Sequence, residues 1–119
     1  MVEQEIQKAA GIRIGLAVLL LVILITAGGF IYHFYLEPSW SIIESIYFAA
    51  ITLTTIGYGD LVPTHDVSRI FTVAYALVGV GIVLYILSVM GSYYIRKFHR
   101  MEKAFVEDIR QFEKKKEKI

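Results

Sequence analysis

The chain has 119 residues, of which 56% are hydrophobic, and its formal net charge at pH 7 is +1. A soluble domain of this size buries only about 60 to 70% of the surface that its unfolded chain exposes, so a mean hydropathy of +0.59 excludes an ordinary soluble domain and indicates a membrane protein. The small net charge gives no general attraction to nucleic acid, and the lack of cysteine excludes disulfides and thiolate metal sites.

Two long uncharged segments predict two membrane-spanning helices. Residues 14–36 contain no Asp, Glu, Lys or Arg over 23 positions, and residues 70–95 contain none over 26. At a rise of about 1.5 Å per residue, about 20 apolar residues cross a hydrocarbon core of about 30 Å. We therefore predict an outer helix over residues 12–35 and an inner helix over residues 68–95. The first segment is longer than the apolar part of a signal peptide.

Basic residues flank both predicted spans on the same side. Lys8 and Arg13 precede the first span, Arg96 and three further basic residues follow the second, and the segment between the spans carries only Arg69. Basic residues concentrate on the cytoplasmic side of membrane proteins. We therefore expect a multi-pass protein of the cell (plasma) membrane with both termini in the cytoplasm.

The segment between the spans contains a short apolar helix followed by two closely spaced glycines. The helix is predicted over residues 40–53, with Ser39 or Ser41 as its N-cap. At about 20 Å it is too short to cross a membrane, so it is predicted to be re-entrant, entering the membrane and returning on the same side. Irregular backbone at membrane depth is tolerated only where it is buried in protein or lines a water-filled path. Residues 54–60 are therefore expected to line such a path.

Gly57 and Gly59 are expected to take positive φ angles, which turn successive carbonyls toward one side of an extended segment. A dehydrated cation needs oxygen ligands on all sides. One row of carbonyls is therefore a poor ion site, whereas four rows around an axis would complete it.

The sequence TTIGYGD at residues 54–60 resembles the signature of potassium channels, with Ile56 where valine is common. Together with the short helix and the two spans, the likeness covers residues 12–95. The chain most resembles prokaryotic potassium channels with two transmembrane helices, similar to the pore module of ligand-gated potassium channels. The resemblance implies an all-α homotetramer with a re-entrant pore helix and a selectivity filter, and no cofactor other than permeant potassium ions.

The resemblance also assigns roles to individual residues. The filter residues would be Thr55, Ile56, Gly57, Tyr58 and Gly59. The carbonyls of the first four would coordinate potassium, with the Thr55 hydroxyl at the inner end. Asp60 is expected to brace the filter, although a plain turn cap is the alternative, and Ile51 stands where some relatives have a glutamate that pairs with this aspartate. The aromatic residues expected to surround and support the filter are Trp40, Tyr47 and Phe48.

Glycines interrupt both predicted spans. Gly28 and Gly29 in the first span are assigned to close helix packing. Two interpretations stay open for Gly79 and Gly81 in the second span: close packing, or the gating hinge that the resemblance implies. In the hinge interpretation, hinge and filter are separate elements.

Apolar residues recur at steps of three and four from Tyr94 to Phe112, which predicts a helix in the C-terminal segment. This helix either continues into a packed bundle or links to a cytoplasmic regulatory domain. The chain is accordingly divided into a cytoplasmic N-terminal segment (residues 1–11), an ion-channel pore domain (residues 12–95) and a cytoplasmic C-terminal helix (residues 96–119).

The predicted function is a potassium-selective channel subunit that works as a homotetramer in membrane lipid, with a gate formed by the inner helices. A nonselective cation channel of the same build is one alternative, against which Tyr58 argues, and a membrane assembly subunit that does not conduct is another. The sequence contains no nucleophile with a base, no carboxylate pair in a shared pocket and no phosphate loop, so it predicts no enzyme. No nucleic-acid partner is expected.

Overall fold

The protein consists of three α-helices and no β-strand in a computed structural model that describes residues 1–119. Helix α1 spans Val2–Ile31 and continues into a π-helical turn, Tyr32–Leu36. Helix α2 spans Ile42–Leu53, and helix α3 spans Asp66–Glu117. The molecule is elongated, with a longest dimension of 80 Å, because α3 alone has 52 residues.

Two of these helices, α1 with its π-helical turn and α3, are long and apolar enough to cross a membrane. Helix α2, with 12 residues, is too short to do so. The chain is therefore an all-helical membrane protein with two candidate spanning helices, as the uncharged segments predict.

Helix α1 begins at Val2, ten residues before the predicted start of the outer helix at residue 12. The added segment is rich in glutamate, glutamine, lysine and alanine, which are strong helix formers. Glu3 and Glu5 lie in its first turn, where negative charge interacts favourably with the helix dipole. Hydropathy does not detect this segment because its helical preference comes from residues that are not apolar.

Helix α3 is continuous from Asp66 to Glu117. The predicted inner helix and the predicted C-terminal helix are thus two parts of one helix. No proline interrupts the chain after Pro63, and the last glycine, Gly91, lies within the helix. The backbone therefore carries no stop signal at the point where the sequence changes from apolar to charged.

Helix α2 begins with a capping box. The Glu44 amide donates a hydrogen bond of 3.1 Å to Ser41 Oγ, and the Ser41 amide donates one of 2.7 Å to Glu44 Oε2. These two bonds satisfy amides that the first helical turn would leave free. Of the two predicted caps, Ser41 is the one used, and Trp40 lies before the helix rather than inside it.

An aromatic cluster joins the three helices at the end of the molecule that holds α2. The Tyr32 side chain is fully buried, with its hydroxyl 2.7 Å from Thr72 Oγ1 on α3 and its ring centroid 5.0 Å from that of Phe48 on α2. The Tyr75 hydroxyl donates a hydrogen bond of 2.7 Å to the Leu24 carbonyl on α1. Helix α2, helix α3 and the π-helical turn after α1 therefore each contribute an aromatic ring to one shared core.

Gly28 and Gly29 allow α1 to approach the other helices closely. A Cβ atom at Gly28 would lie 2.9 Å from Tyr75 Cε2, and one at Gly29 would lie 3.0 Å from Ile46 Cα. Contacts this short would force the Tyr75 side chain and the backbone of α2 at Ile46 to shift. The prediction that these two glycines serve packing is confirmed.

Candidate functional site

The segment after α2 has an unusual backbone. Thr55, Gly57 and Gly59 have positive φ angles of 63°, 54° and 77°. Every second residue from Thr55 to Gly59 therefore has a left-handed backbone conformation. The positive φ predicted for the two glycines is confirmed. The positive φ of Thr55 was not predicted, because left-handed backbone is rare for a β-branched residue.

Hydrogen bonds to the end of α2 hold Thr55 in this conformation. The Thr55 amide donates to the Thr52 carbonyl at 3.2 Å, and the amides of Ile56 and Gly57 both donate to the Ile51 carbonyl at 2.9 and 3.0 Å. These bonds satisfy carbonyls that the last turn of α2 would otherwise leave unpaired. They also offset a backbone strain of about 1 to 3 kcal/mol at Thr55, so the irregular segment is attached directly to the helix.

The other end of the segment is attached to α2 through Asp60. The Tyr47 hydroxyl donates a hydrogen bond of 2.7 Å to Asp60 Oδ2. Ile51, which stands where some relatives have a partner glutamate, accepts two hydrogen bonds from the segment through its backbone carbonyl. The structure thus brings together two of the predicted supporting residues, Tyr47 and Asp60.

Trp40 and Phe48 occupy a different place from Tyr47. Their ring centroids lie 5.0 Å apart, and Trp40 also stacks on Tyr32 at 6.0 Å. The Tyr58 side chain is 70% exposed and stacks on neither of them. Within one subunit, the predicted aromatic support therefore forms part of the core between the helices rather than a contact with Tyr58.

The two glycines of the second span have different surroundings. Gly79 is buried against Leu53, the last residue of α2, and a Cβ atom at Gly79 would lie 2.9 Å from Leu53 Cγ. A Cβ atom at Gly81 would meet nothing within 4 Å. The contact at Gly79 supports close packing at this position, and the hinge stays a prediction.

Glu37 is a buried carboxylate whose role the sequence analysis missed. It lies between the end of α1 and the start of α3 with no exposed surface. It accepts hydrogen bonds from the Thr64 amide at 2.6 Å, the Thr64 hydroxyl at 2.7 Å, the Ser68 hydroxyl at 2.6 Å and the His65 amide at 3.3 Å. The His65 imidazole Nδ1 lies 3.4 Å from Glu37 Oε2. The sequence does contain a signal for this role: an acidic residue directly after an apolar span, with threonine and serine near the start of the next helix.

These contacts set the pKa of Glu37. Burial alone would raise it, but the hydrogen bonds from Ser68, Thr64 and His65 outweigh burial and lower the pKa from 4.5 to about 2. A carboxyl whose pKa is lower in the folded state stabilises the fold above its unfolded pKa, and this contribution is lost as the pH falls through the folded pKa. The contribution of Glu37 should therefore be complete above pH 4.5 and disappear toward pH 2.

We accordingly expect the thermal stability of the purified protein to exceed that of its Glu37→Gln variant at neutral pH, because bonds to a charged acceptor are stronger than bonds to an amide oxygen. The difference should shrink as the pH falls from about 4.5 to about 2. Trp40 fluorescence measures thermal unfolding close to Glu37, because the Trp40 amide donates a hydrogen bond of 2.9 Å to the Glu37 carbonyl. A difference in melting temperature that does not change with pH would contradict this assignment.

The fold and the site together define a class: a membrane protein in which a short helix and an irregular glycine-containing segment are held between two candidate spanning helices. Residues 19–96 match the model of the family described as ion channel, which is more than half of the 119 residues. The chain belongs to this ion channel family. Membership in a family of channels agrees with the prediction that the chain is not an enzyme.

Several curated relatives are similar to this region. The TWiK family of potassium channels protein 7 of Caenorhabditis elegans is 39% identical over 82 residues, which is 69% of this chain and 14% of the relative. Two-pore potassium channel 3 of Arabidopsis thaliana is 35% identical over 62% of this chain and 18% of its own length. Probable potassium channel protein 2 of Methanocaldococcus jannaschii is 41% identical over 50% of this chain and 18% of its own length. The chain thus spans less than two thirds of each of these relatives.

Proposed function

We propose that the chain is a subunit of a potassium-selective channel in which four copies surround one pore. The observation that carries this proposal is the alternation of φ from Thr55 to Gly59. Backbone of this kind does not alternate its carbonyls as a regular strand does, and it can present successive oxygens on one side. Four such rows replace the hydration shell of a potassium ion, as carbonyl rings do in potassium channels generally. The names of the relatives support the same ion.

The need for four copies follows from what one subunit leaves uncovered. Only 15 of 119 residues are buried, and the Ile56 and Tyr58 side chains in the middle of the segment are 54% and 70% exposed. One row of carbonyls also leaves most of an ion's surface without ligands. A ring of four subunits around a common axis completes the coordination and covers part of this apolar surface, and lipid covers much of the rest.

In this assembly each filter residue has a defined role. The carbonyls of Thr55, Ile56, Gly57 and Tyr58 coordinate potassium, and the Thr55 hydroxyl adds a ring at the inner end. This hydroxyl gives a reason for a threonine at a position where glycine would carry less backbone strain. Gly59 closes the outer mouth. The residues proposed to support the filter are Asp60 and Tyr47, which contact each other, and Trp40 and Phe48, which hold α2 in the core between the helices.

Helix α2 is proposed to be the re-entrant pore helix. The channel is proposed to lie in the plasma membrane, with both termini of the chain in the cytoplasm. The distribution of basic residues supports this orientation. The cytoplasmic half of α3 is proposed to form the gate, and a hinge at Gly79 and Gly81 is the alternative to the packing role of Gly79. The exposed apolar stripe from Tyr94 to Phe112 packs into a bundle of four helices, or connects the pore to a cytoplasmic regulatory domain.

The proposal is tested by measuring ion flux into liposomes that contain the purified protein. We expect potassium uptake that barium blocks, with much slower sodium uptake and no uptake in liposomes without protein. Sodium uptake as fast as potassium uptake would instead indicate a nonselective cation channel. A folded tetramer that passes neither ion under varied pH, calcium and ligand would indicate an assembly subunit that does not conduct.

A further inference from the structure

A basic cleft lies away from the filter segment, beside the start of α1. It has a volume of about 660 Å³ and lies between the first turns of α1 and the middle of α3. Only one acidic residue, Glu3, lines it. The basic residues that line it are Arg13, Arg96, Lys97, Arg100 and Lys103. We call this the basic cleft.

The positive charge of the basic cleft is largely unpaired within the protein. Arg100 forms an ion pair of 2.9 Å with Glu3, and Arg13, Arg96, Lys97 and Lys103 form none. Several cationic side chains from two helices therefore converge without a matching number of carboxylates. Arginine side chains suit a phosphate group in particular, because their planar guanidinium donates two parallel hydrogen bonds to its oxygens.

An apolar groove adjoins the basic cleft. Its volume is about 470 Å³, and seven of its nine lining residues are hydrophobic. Arg13 lines both the cleft and the groove. Leu16 and Leu20 of α1 lie on one side of the groove, and Leu77 and Val78 of α3 lie on the other. A charged site thus opens directly onto an apolar channel that runs along the two candidate spanning helices.

We propose that the basic cleft binds the phosphate headgroup of an anionic phospholipid and that an acyl chain of this lipid lies in the apolar groove. A soluble phosphate would use the cleft alone, whereas a lipid satisfies both surfaces at once. Basic pockets between membrane helices on the cytoplasmic side bind anionic headgroups, and each Lys or Arg near the membrane surface contributes about 1 kcal/mol of attraction. In the proposed orientation the lipid belongs to the inner leaflet.

Glu3 competes with the lipid in this arrangement. Its carboxylate contacts one nitrogen of the Arg100 guanidinium and places a negative charge next to the incoming phosphate. Removal of this charge should strengthen lipid binding, whereas removal of a cleft arginine should weaken it. Opposite effects from the removal of a negative and of a positive charge in the same cleft are not expected from a general loss of stability.

Native mass spectrometry of the intact assembly measures the binding, with phosphatidylglycerol as the probe and phosphatidylcholine as the neutral comparison. The double variant Arg13→Gln/Arg96→Gln should bind phosphatidylglycerol about ten- to thirtyfold more weakly than the unmodified protein. The matched control Lys115→Gln/Lys118→Gln removes the same charge outside the cleft and should bind as the unmodified protein does. Glu3→Gln should bind more tightly.

Two further measurements separate a lipid from a soluble phosphate. Inorganic phosphate at millimolar concentration should not displace phosphatidylglycerol, and Val78→Trp, which fills the groove, should weaken lipid binding without reducing the mass of the assembly. Displacement by phosphate with no effect of Val78→Trp would overturn the proposal in favour of a soluble anion. Equal loss of binding in the cleft variant and the control, or equal binding of both lipids, would overturn it altogether. None of these outcomes depends on ion conduction.

Discussion

Replacing Gly57 with alanine is expected to abolish potassium-selective flux. Gly57 has a φ of 54°, and a Cβ atom there meets nothing within 4 Å in the subunit. The cost therefore comes from the backbone, at about 1 to 2 kcal/mol per subunit for a residue with a side chain in left-handed backbone. In a tetramer the total backbone cost is about 4 to 8 kcal/mol, which is comparable with the free energy of unfolding of many domains. The alanine backbone should move to negative φ and turn its carbonyl away from the axis.

Flux into liposomes with potassium or sodium measures this effect, and the reversal potential in a planar bilayer gives the selectivity. Gly15→Ala is the matched control, because a Cβ at Gly15 also meets nothing within 4 Å while its backbone is helical. Alanine is the better helix former, so this variant should assemble and conduct normally. A Gly57→Ala channel with an undiminished preference for potassium would contradict the proposed row of carbonyls.

Replacing Gly79 with alanine is expected to damage both assembly and selectivity, because the new methyl group would overlap Leu53. Leu53 is fully buried at the end of α2, immediately before the segment that leads to Thr55. Overpacking of this kind typically costs about 1 to 3 kcal/mol, here in each subunit. The structure thus joins two elements that the hinge interpretation treats as separate, because Gly79 packs directly against the helix that carries the filter.

Two companion variants separate packing from hinge bending at Gly79. Leu53→Ala in the Gly79→Ala background removes the overlap and should restore tetramer stability and selectivity in part. Gly81→Ala stiffens the same helix by a similar amount, about 1 kcal/mol, but introduces no contact within 4 Å. Single-channel recording then distinguishes the cases. Equal loss of open probability in both glycine variants, with no rescue by Leu53→Ala, would contradict the packing role and favour a hinge.

The main features of the fold could be predicted because they depend on local properties of the sequence. The two spans follow from uncharged runs, α2 follows from a capped apolar segment, and the positive φ of Gly57 and Gly59 follows from glycine at alternate positions. The start of α1 at Val2 was missed because hydropathy does not detect helix formers such as glutamate and lysine. The continuation of the inner helix into the C-terminal segment could be predicted from the apolar residues at steps of three and four, and α3 is one helix from Asp66 to Glu117.

The contacts of the site were harder to predict because they join distant parts of the chain. Glu37 contacts Thr64 and Ser68, and Gly79 contacts Leu53. No periodic pattern connects these positions, and each contact depends on how the helices pack. The positive φ of Thr55 was missed for a different reason: its residue type opposes that conformation, which only the hydrogen bonds to the end of α2 sustain.

A density map of the purified assembly in high potassium tests most directly whether four copies of the filter segment bind potassium in a row. We expect four subunits around one axis, with density for several ions in single file between the carbonyls of Thr55 and Tyr58. Replacing potassium with sodium should change the number or position of these densities. An assembly with another number of subunits, or an axis that is empty in high potassium, would contradict the claim.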